Sequence, residues 1–153
     1  MKKLIFALVV LVSSATVSFA QSGETELLQS LYGLEKKVII QEFMDLKADQ
    51  NESFWNVYEA YELERKEIGK ARIALLNKYA ESFNTLTDEQ ADKMLKESYS
   101  ITTKQLKLQK KYYGKMKKAT NIKLAARFYQ IENYLVTVIS FSISDSIPFV
   151  ENK

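Results

Sequence analysis

The sequence predicts an all-α protein: four helices with a long antiparallel central hairpin, arranged as an elongated bundle or a curved helical layer. Three observations carry this reading. The 153 residues include one Pro and four Gly, too few for the many turns of a sandwich or barrel. Apolar residues recur at steps of three and four over most of the chain, which is the period of a buried helix face. Two such segments run for about thirty residues each, or about 45 Å at 1.5 Å per residue. Only a short break separates them, so they fold back on one another.

The first twenty residues read as an address. Lys2 and Lys3 precede an apolar run over 4–12, and Ser18 and Ala20 stand at the −3 and −1 positions of a cleavage site after Ala20. This is the pattern of a cleaved secretory signal peptide over 1–20, bacterial in character. It leaves 21–153 as a single helical domain, of a length that folds unaided. An uncleaved membrane anchor is the rival reading, but the run is short and diluted by Ser and Thr. The mature chain is expected in the periplasm or secreted.

Segment one covers 24–46, with Leu27, Leu28, Leu31, Leu34, Val38, Ile39, Phe43 and Leu46 as its stripe. The polar residues 47–51 read as a connection. Segment two covers 53–83, striped by Phe54, Tyr58, Tyr61, Ile68, Leu75 and Tyr79. Arg65 and Arg72 fall on the same stripe, where their stems would cover apolar surface and their heads stay wet. Glu62, Lys66 and Lys70 are assigned to the opposite, solvated side.

After the break at 84–86, Thr87 and Gln90 have the spacing of a capping box, and Asp88 and Glu89 put negative charge where a helix dipole favours it. Segment three continues to 118 with Leu95, Tyr99, Thr102, Leu106, Gln109, Tyr113 and Met116 as its stripe, widened by Met94, Ile101, Leu108 and Tyr112. Segment four covers 121–144 with Leu124, Phe128, Ile131, Leu135, Val138 and Ile139 inward, and Pro148 stops it. The β-branched residues in 136–141 leave a short strand as the alternative there.

Composition narrows the chemistry. The chain has no Cys and no His. That excludes disulfides, thiolate nucleophiles, Ser-His-Asp triads, His proton shuttles and ordinary zinc or copper sites. No Gly-rich phosphate loop or nucleophile elbow is present, and no dense Asp/Gly loop suits calcium. Carboxylates such as Glu62, Glu64, Asp88, Glu89 and Asp92 are explained by solvated helix faces and capping. No catalytic residue, metal ligand or cofactor is expected, and the chain reads as non-enzymatic.

Charge is sorted along the chain. Residues 21–68 carry eleven acids and five bases, whereas 98–131 carry nine bases and no acid. Lys104, Lys107, Lys111, Lys115 and Lys118 lie three or four apart and share a helix face. Lys110 and Lys117 lie on another, and Lys123 and Arg127 extend the basic surface onto segment four. Tyr112 and Tyr113 sit inside it. Either the basic half faces the acidic half, within the bundle or across a dimer, or it meets an anionic partner. Nucleic acid would head the list for interleaved Lys and Tyr, but export argues against it. Lipopolysaccharide, anionic lipid headgroups and acidic stretches of unfolded polypeptide are the better-placed partners.

The stretch Leu86-Thr87-Asp88-Glu89-Gln90 resembles the L-T-x-x-Q motif of the periplasmic Spy and CpxP-type proteins. The exported, disulfide-free helical hairpin with a basic surface is similar to them as well. That family usually carries two copies of the motif; here Ile101-Thr102-Thr103-Lys104-Gln105 lies mid-helix and is no second copy. The resemblance implies an ATP-independent chaperone or envelope-stress protein that cradles unfolded clients, usually as a dimer. The alternative is an adaptor that docks one specific envelope protein. Both assign partner binding to Lys104, Lys107, Lys111, Tyr112, Tyr113, Lys115, Lys118, Lys123 and Arg127, and the motif and helix cap to Leu86, Thr87 and Gln90.

Overall fold

The structure, a computed structural model, describes residues 35–150. The signal-peptide reading and the first part of segment one lie outside the described residues. Within them the fold is all-α. The helices are α1 (35–44), α2 (Ala48–Ser82), α3 (Asp88–Ala119) and α4 (Ile122–Ser146), with a 3-10 turn at Phe83–Thr85 between α2 and α3.

Local chemistry sets most of the boundaries. At the start of α3 the Gln90 backbone N–H donates to Thr87 Oγ1 at 3.3 Å, and the Thr87 N–H donates to Gln90 Oε1 at 2.9 Å. The capping box therefore forms as the spacing predicts. Asn121 caps α4 by accepting from the Leu124 N–H at 3.0 Å. The α4 helix continues through 136–141 to Ser146, so the strand alternative is not realised. Beyond it the chain turns extended, and Tyr79 OH donates to the Pro148 carbonyl at 2.9 Å, tying the end of α4 to α2.

One boundary differs from expectation. The connection between segments one and two is 45–47, not 47–51, and α2 starts at Ala48. Asp45 makes the break by taking a left-handed backbone, φ 49°. The expected loop residues 48–51 are good enough helix formers to join α2 once that turn is made.

Pairings along the helices give the topology. Lys37 meets Glu59 and Lys36 meets Glu62, so α1 runs antiparallel to α2. Tyr112 reaches Ala60, Lys111 reaches Glu64 and Lys78 reaches Glu97, so α2 and α3 form the long antiparallel hairpin. Tyr61 meets Glu132 and Tyr79 meets Pro148, so α4 returns parallel to α2.

The core gathers where all four helices meet. Ile40, Met44, Phe54, Tyr58, Tyr61, Leu108, Tyr112, Met116, Leu124, Ala125, Phe128 and Leu135 are buried there in one cluster. Phe128 is its aromatic hub, with edge-on contacts to Phe54 at 5.8 Å and Tyr61 at 5.5 Å between ring centroids. Such geometry sets the positive ring edge against a negative face. Farther along the hairpin the layer thins: Ile68, Leu75, Leu76 and Tyr79 of α2 are only half-buried.

Two stripes face differently from expectation. On α3, Leu95, Tyr99 and Leu106 of the expected stripe are 52%, 65% and 58% exposed; its Gln109 and Met116 are buried as expected, with the widening residues Met94, Ile101, Leu108 and Tyr112 and with Gln105. The two rows differ by about one residue of helix rotation, near 100°. Burying the second row keeps Lys110 and Lys117, the helical neighbours of Leu106 and Tyr113, in water. On α1, Val38 is exposed and Lys36 is buried. No helix among the described residues is long and apolar enough to cross a membrane.

Candidate functional site

The basic surface occupies the C-terminal half of α3 and the first turns of α4. Lys104, Lys107, Lys115, Lys118, Lys123 and Arg127 are exposed. Lys111 is also exposed, but both oxygens of Glu64 accept from its Nζ at 2.7 Å. Among the described residues Lys104, Lys107, Lys115 and Lys118 face no carboxylate within ion-pair distance, so the row stays largely open toward solvent. It spans about 21 Å at 1.5 Å per residue. Where α3 turns into α4, Lys117, Asn121, Ile122 and Lys123 line an open depression of about 670 Å³.

The two tyrosines of this segment part company. Tyr112 is buried, and its one hydroxyl proton is shared between Glu64 Oε1 at 2.7 Å and the Ala60 carbonyl at 2.9 Å. Burial, then the hydrogen bond to that carboxylate, pushes its phenol up to about 12. Tyr112 is thus a pillar beneath the basic row rather than a contact residue: Lys115 Nζ lies 4.5 Å and Lys111 Nζ 5.3 Å from its ring centroid. A ring under an ammonium holds it by its quadrupole. Tyr113 is half-buried, with Lys117 Nζ 6.0 Å from its ring. Among the described residues Tyr99, Tyr129 and Tyr134 are the tyrosines that open to solvent.

The partners Lys111 and Tyr112 hold the Glu64 carboxyl below the usual carboxylate range. Arg127 is exposed, and its Nη1 donates to the Met44 carbonyl at 3.5 Å, so it also fastens α4 to the end of α1. Leu86 is half-buried, while Thr87 and Gln90 are exposed and engaged with one another as a helix cap. They sit at the far end of the hairpin from the basic surface.

A second charged cluster lies inside the bundle. Lys36 of α1 places Nζ 2.5 Å from Glu62 Oε1 and 2.6 Å from Glu132 Oε1. Arg65 Nε donates to both Glu62 oxygens at 2.9 Å. Tyr61 OH donates to Glu132 Oε2 at 2.7 Å, and its ring lies 5.1 Å from Lys36 Nζ. Two cations thus balance two carboxylates. Burial opposes ionisation of Glu62, but Lys36 and Arg65 together outweigh it and hold the carboxyl below its usual range. Tyr61 is pushed up by burial and by the Glu132 charge.

Glu62, expected on the solvated side, and the Arg65 head, expected in water, are both in this cluster instead. The reason is Lys36, which reaches across from α1 and gives Glu62 a buried partner. The readable signal was Glu132, a lone carboxylate on the apolar face of α4, four residues after Phe128 and three before Leu135. Among the described residues no group of three or more carboxylates could hold a metal ion.

No protein-family model matches the chain, and neither a curated protein nor a solved structure matches it.

Proposed function

We propose that the protein is an exported, non-enzymatic, ATP-independent chaperone or envelope-stress protein that holds unfolded or anionic partners on its basic helix face. The observation that carries this reading is the open row Lys104, Lys107, Lys115 and Lys118, exposed and free of ion pairs to other described residues. A buried seam between acidic and basic halves would have matched these lysines with carboxylates; only Lys111 is matched so. Long-range attraction brings acidic polypeptide or an anionic headgroup to the row. On the other exposed flank of α3, beside Lys110 and Lys117, Leu95, Tyr99 and Leu106 offer adaptable apolar contact, which suits a binder of many sequences. The resemblance of Leu86, Thr87 and Gln90 to the L-T-x-x-Q motif supports the same reading.

The test is aggregation of a reduced, unfolding client with the purified protein added, without nucleotide, at low and high salt. Lys104, Lys107, Lys115 and Lys118 are changed together to Glu in a parallel variant, which leaves the Lys111–Glu64 pair intact. Suppression that weakens with salt, as exposed charges are screened within about 10 Å at 0.1 M, and that the folded variant loses, supports the proposal. No suppression at stoichiometric amounts overturns it and points to an adaptor with one folded envelope partner, sought by pull-down.

A further inference from the structure

The connection 45–47 is a weak break in what is otherwise continuous helical sequence. It contains neither Gly nor Pro. Asp45 holds φ 49°, a region that costs a side-chain-bearing residue strain. Lys47 stands at the N-cap of α2 and supplies no side-chain cap hydrogen bond, where Ser, Thr, Asp or Asn would accept from the first turn. If 45–47 became helical, α1 and α2 would merge into one helix over 35–82. The strain and the weakly capped end, where Gln50 Oε1 accepts from the Lys47 N–H at 3.4 Å, would both vanish, and α1 would swing out of its groove.

That groove cannot stay empty. Ile40 and Met44 of α1 are fully buried against α2 and α4, and Lys36 is the cation between Glu62 and Glu132. Withdrawing Lys36 leaves two buried carboxylates facing Arg65 alone, which is strongly unfavourable. An occupant must therefore bring a Lys with apolar residues four and eight positions later on one helix face. The chain's own α1 has this pattern, in Lys36, Ile40 and Met44.

We propose that α1 exchanges between two copies of this chain, hinging at 45–47, so that Lys36 of each copy fills the Glu62–Glu132 site of the other. Exchange preserves every contact of α1 and changes only the hinge, which is what makes such swapping a low-cost route to a dimer. The basic row of α3 takes no part, so this inference stands apart from the chaperone reading.

The experiment is light scattering on the purified protein over a range of concentrations, with two hinge variants. Asp45→Gly accepts the left-handed backbone without strain and weakens a continuous helix; it should lower the dimer equilibrium about tenfold per hinge. Asp45→Ala should raise it by a similar factor. To identify the exchanged segment, Lys37 and Glu59, an exposed pair 3.0 Å apart, are replaced by Cys in a chain that otherwise has none. A short bis-maleimide then joins α1 to α2. Links within one chain in the monomer fraction and between chains in the dimer fraction support the exchange. A dimer linked only within chains overturns it, as does a monomer at every concentration for Asp45→Ala.

Discussion

Lys36 Nζ lies 2.8 Å from Glu132 Oε2, and each residue is 1% exposed although 96 positions separate them in the chain. The same ammonium also pairs with Glu62, so one side chain from α1 clamps α2 to α4. A buried ion pair is weak evidence for net stability, because desolvation offsets much of the attraction. Its value lies in register: shifting α1 by one residue would strand all three charges.

Removal of the clamp should therefore be costly. Lys36→Met leaves the two carboxylates short of a cation and is expected to destabilise the fold by about 3–5 kcal/mol. Lys37→Met removes only the exposed pair with Glu59 and should cost under about 1 kcal/mol. Urea unfolding followed by helical circular dichroism compares the two. Equal effects would deny the buried pair its role.

Glu62 should dominate the acid limb of stability. Its folded pKa is depressed below the unfolded value. Its contribution is therefore complete above the ordinary Glu value of about 4.3 and is lost as pH falls through the lower folded value. Glu64 shifts in the same direction at the surface and adds to the slope. Glu62→Gln should be less stable at neutral pH, with a flatter decline below pH 5. Unfolding midpoints between pH 7 and 3 provide the comparison.

Tyr112 acts at the other end of the scale. Its phenol is pushed up to about 12, above the ordinary value of about 10. The stability it contributes is present below pH 10 and is lost as pH rises from there toward 12. Tyr112→Phe should flatten part of that alkaline loss, the rest remaining with Tyr61, which is shifted the same way. At neutral pH the variant forfeits the hydroxyl's hydrogen bond, shared between Glu64 and Ala60 and worth about 1–2 kcal/mol.

The helices and their hairpin were legible because their signals are local. A period of three to four residues needs only a window of sequence, and Thr87 and Gln90 declare the start of α3 within four positions. The basic row was legible for the same reason, since Lys104 to Lys118 follow one face of one helix. Tyr112 beneath it was not, because its hydroxyl is claimed by Ala60 and Glu64 of the facing helix. The clamp was hidden for the same physical reason. Nothing near Lys36 in sequence distinguishes it from the solvated Lys37, and its partners arrive only with the packing of α2 and α4.

Thr87→Ala should cost about 1 kcal/mol, the ordinary price of a lost N-cap, while Thr87→Ser should be nearly neutral. Because the cap lies at the far end of the hairpin, neither change should alter client binding at the basic row. Thermal unfolding and the aggregation assay separate the two roles. Loss of suppression by a folded Thr87→Ala would give the motif a part beyond capping.

Leu106 and Leu108 decide which face of α3 is inward. Both are leucines on the same helix, two residues apart, and sequence periodicity puts Leu106 in the central stripe and Leu108 at its margin. The structure buries Leu108 in the core and leaves Leu106 58% exposed. Leu108→Ala should therefore destabilise the fold by about 2–5 kcal/mol, the cost of lost burial plus a cavity. Leu106→Ala should stay within about 0.5 kcal/mol, as surface substitutions do. Denaturant unfolding of the two variants settles the rotation of the helix. The reverse ranking would turn α3 by about 100° and place Lys110 and Lys117, the helical neighbours of Leu106 and Tyr113, against the core.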